Sequence, residues 1–233
     1  MIELNQILSM ISLPELRIKR KTYSAGSWSM DVMLEAVRSI GLSYDPRFVL
    51  DSDNTEVYRN LVYWMMNDGR MQAVHPGTGR RIAGRLDKGI YLAGNTGSGK
   101  TVAMNILRKL YSLNVFLSSD DKPILWKEKR ADEIADYYAS AGELETFKKA
   151  PMLSIQDLGC EPAETLYMGN RVRVMQNILE YRGDRKDFIT MVTSNIPMAH
   201  EDLRSRYGER ATSRMAEMMN YLTLTGRDRR QNY

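Results

Sequence analysis

The feature that most constrains this chain is an eight-residue loop, Gly94-Asn-Thr-Gly-Ser-Gly-Lys-Thr101. It matches the pattern G-x-x-x-x-G-K-[ST] in full. The apolar run Gly89 to Ala93 before it predicts a buried strand, and apolar residues at helical spacing after it predict a helix from Thr101 to Ser112. Strand, loop and helix in this order are the context that the pattern requires. The sequence therefore predicts a P-loop in an α/β fold.

The residue types in this loop suit a bound triphosphate. Its glycines let backbone N–H groups wrap around phosphate oxygens, and the N-terminus of the next helix adds partial positive charge. Lys100 can reach the β- and γ-phosphates, and the Thr101 hydroxyl is the expected Mg²⁺ ligand. The predicted nucleotide-binding residues are Gly94, Asn95, Thr96, Gly97, Ser98, Gly99, Lys100 and Thr101.

The rest of the chain after the loop alternates between predicted strands and helices. Strands are predicted at 115–117, 124–126, 152–155, 188–193 and 221–225, and helices at 130–138, 143–149, 165–181, 203–207 and 211–220. This alternation implies a parallel sheet with helices on both faces.

The N-terminal part has a different pattern, which predicts a small helical region over residues 1–75. One helix, Met30 to Ile40, has Ser29 as its N-cap and Gly41 as its stop. A second, Thr55 to Asn67, follows a sequence that resembles a capping box, Asp53 to Glu56. Residues 76–88, rich in glycine and basic residues, are interpreted as a connector, and residues 89–233 as the nucleotide-binding domain.

Composition excludes several classes of protein. Hydrophobic residues make up 43% of the chain and charged residues 27%, as in soluble globular proteins. No apolar run approaches the ~20 residues of a membrane helix, and the N-terminus has the reverse of a signal peptide's charge order, so we expect no membrane partner and a cytoplasmic location. The single cysteine, Cys160, excludes a disulfide framework within one chain. The net charge of +4 is compatible with nucleic-acid binding.

A second segment, Met152-Leu-Ser-Ile-Gln-Asp-Leu-Gly159, has the form of a strand that ends in an acidic residue. Together with Leu203-Arg-Ser-Arg-Tyr-Gly-Glu-Arg-Ala-Thr-Ser-Arg-Met215, it resembles the AAA+ helicase-loader family typified by DnaC and DnaI, with the transposition helper IstB as a close relative. The resemblance covers about residues 85 to 230. It implies an AAA+ ATPase sheet without a C-terminal lid domain, and an N-terminal region that contacts a helicase.

The same resemblance gives two alignments of the acidic segment, because the family commonly has two acids where this chain has Gln156-Asp157. In the first, Asp157 polarises the attacking water and Gln156 contacts Mg²⁺ only through a metal-bound water, without adding charge. In the second, Asp157 is the metal residue and Leu158 takes the water-positioning place. This second alignment is less attractive, because it places both Ser154 and Gln156 in the buried strand. Either way one acid is missing, so nucleotide binding with weak hydrolysis is expected.

Further catalytic roles also come from the resemblance. Asn195, at the end of a strand, is similar to the sensor 1 residue that holds the nucleophilic water. Arg214 is the first choice, and Arg210 the second, for an arginine finger that reaches a neighbouring subunit's γ-phosphate. These two and Arg206 would share one face of a continuous helix. Arg230 is the choice for sensor 2, with Arg227 and Arg229 as the alternatives.

Basic residues mixed with aromatic ones mark two candidate surfaces for single-stranded DNA. The first lies on or just after the helix predicted at 165–181, and the second lies in Trp126 to Arg130. A solvated helix surface explains both equally well. The candidates are Arg171, Arg173, Arg182 and Arg185 in the first surface, and Lys127 and Lys129 in the second.

The sequence favours an ATP-binding AAA+ protein that acts in DNA replication as a DnaC-like helicase loader. Its ATP state would control self-association and binding to single-stranded DNA and a replicative helicase. An IstB-like ATPase helper of a transposase shares the same core and stays open as an alternative. A nucleotide-dependent adaptor that does not hydrolyse ATP is the alternative that Gln156 suggests. A small-molecule kinase is disfavoured, because the arginine-rich segment has no obvious place in one.

Overall fold

The computed structural model describes residues 18–19, 23, 26–111, 117–118, 122–185, 187–226 and 228–229. The helices are α1 (Met30–Tyr44), α2 (Thr55–Met65), α3 (Lys100–Tyr111), α4 (Ala131–Ala141), α5 (Glu145–Lys148), α6 (Val174–Gly183) and α7 (Glu201–Met218). The strands are β1 (Ile18–Lys19), β2 (Gln72–Val74), β3 (Arg81–Ala83), β4 (Gly89–Ala93), β5 (Leu117–Ser118), β6 (Trp126–Arg130), β7 (Met152–Leu158), β8 (Thr165–Tyr167), β9 (Asn170–Val172), β10 (Ile189–Ser194) and β11 (Met219–Thr223).

A five-stranded parallel sheet forms the centre of the molecule, in the order β11-β4-β10-β7-β6. Alternate residues of β4 show which helices cover each face of the sheet. Ile90 and Leu92 pack in a core with α1, α2 and α3, whereas Tyr91 and Ala93 pack in a second core with α4, α5, α6 and α7. Strands buried on both faces need near-continuous apolar runs, which is the pattern that identified them in the sequence. The predicted α/β fold is confirmed.

The N-terminal helices lie against the P-loop helix α3 and share its hydrophobic core. Trp64 of α2 is fully buried, and its Nε1 donates a hydrogen bond to the carbonyl oxygen of Lys88, 2.7 Å away, just before β4. Burial of an indole with its N–H satisfied fixes α2 against the start of β4. Among the described residues, no helix combines the length and the apolar character that a membrane crossing requires.

Two predicted helix signals in this region are wrong in detail. Gly41 does not stop α1, which continues to Tyr44; a Cβ at Gly41 would lie 2.3 Å from the ring of Phe48, so this glycine permits close packing. The capping box before α2 does not form. The N-cap Asn54 instead uses its side-chain amide to bind the carbonyl of Val49 at 2.8 Å, because the preceding loop folds back onto it.

The helix predicted at 165–181 is also wrong over its first half. Its N-terminal half is the antiparallel hairpin β8–β9, and only α6 is helical. Met168 (φ 45°) and Gly169 (φ 83°) both have positive φ, as a two-residue type I′ turn requires. The hairpin packs Tyr167 against Tyr138 of α4, a tertiary contact that overrides the helical spacing of the apolar residues.

Other boundaries differ by shorter distances. The strand predicted at 124–126 is β6, which begins at Trp126, and residues 112–116, where another predicted strand begins, lie outside the described part of the chain. Part of the predicted connector forms β3, paired with β2. The two helices predicted at 203–207 and 211–220 form α7, whose helical dihedral angles are interrupted at Gly208.

Candidate nucleotide-binding site

The P-loop joins β4 to α3 at the carboxyl edge of the sheet, where ligands of α/β folds bind. Gly97 (φ 78°) and Gly99 (φ 96°) have left-handed backbone conformations, which residues with a Cβ rarely adopt. The loop opens into a cavity of about 690 Å³, a size typical of small-molecule sites. Among the described residues, four basic side chains and only two acidic ones line this cavity, namely Arg47, Lys100, Arg130, Arg229, Asp45 and Asp157. This excess of positive charge suits a polyphosphate.

Lys100 and Asn195 meet at the base of the cavity. The buried Lys100 Nζ donates to Asn195 Oδ1 at 2.6 Å and to the carbonyl oxygens of Gly94 and Asn95, both at 2.8 Å. The Asn195 amide is 3.4 Å from the Thr96 hydroxyl. Adjacent parallel strands β4 and β10 end side by side, which brings together two residues 95 positions apart in the chain.

Asp157 reaches the cavity because β7 contains a bulge. The pairing of β7 with β10 shifts register between Val192 and Ser194, and Asp157 lies there with a φ of 53°. Its N–H donates to the Thr193 hydroxyl at 2.9 Å, and its side chain lines the cavity. A bulge redirects a side chain at the end of a strand, as it does beside many active sites.

Gln156 does not line the cavity. It is buried, and its Oε1 accepts a hydrogen bond of 3.4 Å from the Thr193 hydroxyl. Ser154 is buried in the same strand. The second sequence alignment looked less attractive because it buried Ser154 and Gln156 together, and the structure removes that objection. Under either alignment, Asp157 is the carboxylate of β7 that lines the cavity.

Arg130 is a cavity residue that sequence reasoning assigned only to a possible DNA surface. It ends β6, and its Nη1 lies 3.0 Å from Asp157 Oδ2. Its Nε and Nη2 each donate to Asp132, also at 3.0 Å. These carboxylates raise the pKa of Arg130 further, with the Asp132 hydrogen bonds as the largest cause. Its position in a basic run, Lys127 to Arg130, gave no signal of this contact.

Residues 228–229 lie over the P-loop. The N–H of Arg229 donates to the carbonyl of Gly97 at 3.0 Å, and the guanidinium makes two hydrogen bonds of 2.9 Å to Asp51, which lies between α1 and α2. The pairing with Arg229 lowers the pKa of Asp51. Arg229 therefore lines the cavity, whereas Arg230, the first choice for sensor 2, and Arg227 lie outside the described residues.

The loop between α1 and α2, together with Tyr58 in the first turn of α2, supplies the remaining wall, which the sequence did not indicate. Phe48, Val49 and Tyr58 give this end of the cavity an apolar lining, and Arg47 makes two ion-pair contacts of 3.1 Å to Asp45. No pattern within residues 44–58 could have placed them here, because the contact depends on how α1 and α2 pack on α3.

The arginines of α7 lie apart from this cavity. Gly208 (φ 79°, ψ 162°) separates Arg206, which pairs with the buried Glu161 at 3.4 Å, from the other two. Arg210 and Arg214 both pair with Asp184, at 3.0 and 2.7 Å. The condition for a single three-arginine face, a continuous helix, is not met, because Gly208 ends one helical segment and starts another.

The candidate DNA-contacting residues occupy different environments. Arg171 lies in β9 and Arg173 is the N-cap of α6, paired with Glu164 at 3.6 Å. Lys127 donates to the Thr146 hydroxyl at 2.8 Å, and Lys129 pairs with Glu133 at 3.5 Å. The contacts of Arg173, Lys127 and Lys129 are made with other residues and do not join the four candidates into one surface.

Arg182, also considered for DNA contact, is fully buried. Its guanidinium donates to the carbonyls of Phe147, Lys148, Ala150 and Ile189 and to the Thr190 hydroxyl. Burial lowers the pKa of Arg182 to about 9, still high enough to keep it charged at neutral pH. It cannot contact DNA, because these bonds fix it between α6 and the start of β7 and β10.

Solved structures share this fold. The crystal structure of DnaI is 21% identical, with a TM-score of 0.50 over 82% of this chain and 93% of that chain. A candidate primosome component from Streptococcus pyogenes serotype M3 is 20% identical, with a TM-score of 0.49 over 77% and 83% of the two chains. The DnaC helicase loader is also 20% identical, with a TM-score of 0.49 over 77% and 94%. No family model and no curated protein sequence matches this chain. At this identity the likeness to DnaI shows a shared fold, a parallel sheet flanked by helices, as the sequence predicted.

Proposed function

We propose that this chain binds ATP and Mg²⁺ and acts in DNA replication as an AAA+ protein of the helicase-loader type. The observation that carries the proposal is the 2.6 Å contact between Lys100 and Asn195 in a cavity that Asp157 also lines. The phosphate-binding lysine at the start of α3, the polar Asn195 just after β10 and the acidic Asp157 near the end of β7 thus come together. That combination is what phosphoryl transfer requires of a protein.

The residues present also suit Mg²⁺. The Thr101 hydroxyl and the Asp157 carboxylate line the same cavity, and oxygen ligands of this kind, together with phosphates, are the ones Mg²⁺ prefers. A bound Mg²⁺ would neutralise charge on the phosphates. Gln156 adds no charge, so we expect slow hydrolysis. Asn195 would orient water and Lys100 would bind the phosphates.

Self-association, DNA binding and helicase binding belong to the same proposal. Arg214 and Arg210 do not line this chain's own cavity and are exposed enough to reach a neighbour's, which supports a role as arginine fingers in trans. The exposed Arg171 supports contact with single-stranded DNA. We propose residues 1–75 as the helicase-binding region, and its α1–α2 loop would respond to the nucleotide that it covers.

A nucleotide-dependent adaptor is the second candidate. Two observations favour it: Gln156 is buried away from the cavity, and Asp157 is paired with Arg130. Both reduce the negative charge available for hydrolysis. ATP turnover by the purified protein, compared with its binding of helicase or DNA, separates the two candidates. The adaptor would bind its partner in the presence of ATP without turning ATP over.

The decisive experiment compares the wild type with Lys100→Ala by calorimetric titration with ATP and Mg²⁺. We expect binding to be lost, because the buried ammonium of Lys100 supplies the positive charge that binds the phosphates. Lys109→Ala, on the exposed side of the same helix, serves as the control and should bind like the wild type. Retained ATP binding by a folded Lys100→Ala protein would refute the nucleotide site.

The partner is tested by a pull-down with the host's replicative helicase and, in parallel, with any neighbouring transposase, each with ATP and ADP. We expect capture of the helicase to depend on ATP. Capture of the transposase alone would replace the loader assignment with the transposition-helper alternative.

A further inference from the structure

A basic hairpin, residues 72–88, lies at the amino edge of the central sheet. It comprises the strands β2 and β3, the turn between them and the segment that leads into β4. The P-loop follows the other end of β4, at the carboxyl edge of the sheet. All residues of the basic hairpin are described, and none of them lines the nucleotide cavity. The hairpin is therefore a feature separate from the nucleotide site.

Two buried asparagines hold the base of the basic hairpin. Asn60 Oδ1, in α2, accepts the N–H of Gln72 at 2.7 Å. Asn220, in β11, accepts the N–H of Arg85 at 2.8 Å. Its amide also donates to the carbonyl oxygens of Arg85 and Gly89, at 2.7 and 3.0 Å. Because buried polar groups with satisfied hydrogen bonds rigidify the segments they join, the basic hairpin has a fixed base.

The outer part of the basic hairpin is ordered but exposed. His75 closes the turn, since its N–H donates to the carbonyl oxygen of Arg80 at 2.8 Å. Its Nδ1 accepts the N–H groups of Gly77 and Thr78, both at 3.2 Å. Residues 77–80 and all three residues of β3 are exposed. This turn and strand are the parts of the hairpin that a partner can reach.

The exposed part carries an excess of positive charge. Residues 75–88 contain four basic side chains and one acidic side chain, namely Arg80, Arg81, Arg85, Lys88 and Asp87. The side chain of Arg80 makes no hydrogen bond or ion pair with the described residues. Arg81 lies 3.5 Å from Glu56, and Arg85 pairs with Asp87 at 2.8 Å, all on the surface. Because surface pairs of this kind contribute little to stability, both arginines can exchange them for another anion.

The chemistry of the basic hairpin fits the phosphate backbone of double-stranded DNA. A duplex carries one negative charge per about 1.7 Å of its axis, and its major groove admits a two-stranded β-ribbon. Proteins that bind single-stranded DNA add aromatic side chains, on which the bases stack. Residues 72–88 contain no phenylalanine, tyrosine or tryptophan. The basic hairpin therefore offers charge to phosphates without a surface for stacking.

We propose that the basic hairpin binds the phosphate backbone of duplex DNA through Arg80 and Arg81, with Arg85 as a further contact. This site is distinct from the contact with single-stranded DNA proposed at Arg171, which lies in β9. A protein with both surfaces holds a duplex beside a strand that has been separated from it. The proposal does not depend on nucleotide binding.

The test measures the affinity of the full chain for a short fluorescent DNA duplex, by anisotropy, over a range of salt concentrations. The logarithm of affinity falls linearly with the logarithm of salt concentration, with a slope of about 0.9 for each phosphate contacted. The double variant Arg80→Ala, Arg81→Ala should bind more weakly, with a slope shallower by about two. The double variant Arg80→Lys, Arg81→Lys keeps both charges and should keep the slope of the wild type.

The matched control is the double variant Arg38→Ala, Arg204→Ala, which removes the same net charge elsewhere on the surface. Arg38 pairs with Glu35 on α1, and Arg204 is exposed on α7 without an ion pair among the described residues. Its slope should match that of the wild type. A control slope as shallow as that of the alanine variant of the basic hairpin would overturn the proposal, because general attraction would then explain the binding.

Three further outcomes would also overturn the proposal. They are a wild type that does not bind the duplex, an alanine variant with an unchanged slope, and an equal loss of affinity for the corresponding single strand. Calorimetric titration of the same variants with ATP and Mg²⁺ should match the wild type. A failure of the duplex site is therefore distinguishable from a failure of the nucleotide site.

Discussion

At the scale of single residues, the conformation of Asp157 is the most informative feature of the site. A non-glycine residue with φ of 53° is uncommon, although aspartate tolerates it better than most residues. Thr193 supports the conformation by accepting the Asp157 N–H. Local strain of order 1 kcal/mol persists where the surroundings hold it in place, often at functional sites. The strained residue is the one that carries its carboxylate into the cavity.

Gln156→Asp tests whether position 156 belongs to the metal side of the site. If position 156, which is buried without nucleotide, faces the metal side once nucleotide binds, turnover should rise about tenfold, equivalent to ~1.4 kcal/mol of transition-state stabilisation, because a second carboxylate strengthens Mg²⁺ binding. Without nucleotide, the free energy of unfolding should fall by about 1–3 kcal/mol, because the new charge is buried. Steady-state ATPase assays and urea denaturation measure the two effects.

Ser154→Asp is the control for this substitution, since it places a carboxylate in the same buried strand but further from its end. It should destabilise the fold without raising turnover. A turnover that stays level or falls in Gln156→Asp would contradict the first alignment, in which position 156 faces the metal.

At the scale of secondary-structure elements, Gly208 decides how the arginine-rich segment is presented. Its φ and ψ, 79° and 162°, belong to a region that essentially only glycine occupies. The segment before it directs Arg206 to Glu161, and the segment after it directs Arg210 and Arg214 to Asp184. A continuous helix could not serve both acidic partners, because its arginines would share one face.

Gly208→Ala should therefore lower the free energy of unfolding by about 1–3 kcal/mol, the cost of forcing a Cβ into that backbone region. The nearest atom to the added Cβ is Gln176 Nε2 at 3.6 Å, so crowding does not contribute. Gly69→Ala is the matched control, because its surroundings are open and its φ is not positive. Chemical denaturation of both variants checks this, and equal losses would show that the kink is not strained.

At the scale of the whole molecule, the cavity is assembled from segments far apart in the chain. The P-loop supplies its base, the ends of β6, β7 and β10 supply one side, and the α1–α2 loop with Leu224 and Arg229 supplies the other. The bond from Arg229 to Asp51 joins residues 178 positions apart. We therefore expect nucleotide binding to affect the contact between Asp51 of the α1–α2 loop and Arg229.

Mixing inactive subunits tests whether the site is shared between copies of the chain. Arg214→Ala and Lys100→Ala should each lack ATPase activity, whereas a mixture should recover part of it, because some interfaces combine an intact P-loop with an intact finger. Mixing each variant with the wild type, under conditions where co-assembly is confirmed, calibrates the recovery. No recovery in confirmed mixed assemblies would show that Arg214 does not act in trans.

The sequence by itself determined the parts of this protein that depend on local pattern. Three such parts could be identified: the P-loop, the buried strands β4, β7 and β10, and the acidic residue near the end of β7. They were recognisable because phosphate binding and two-sided burial each require particular residues at fixed spacing. The hairpin at 165–172 was missed, because its packing against α4 overrides the helical spacing of its apolar residues.

The tertiary structure alone decided what surrounds those parts. Arg130 pairs with Asp157, Arg229 pairs with Asp51, and Arg182 is fully buried. The residues next to these arginines in sequence give no sign of those contacts. An arginine looks the same in sequence whether it meets solvent, a carboxylate or a ring of carbonyls. The partner of Arg130 is fixed by the order of strands in the sheet and by the bulge in β7, and both arise only when distant segments pack together.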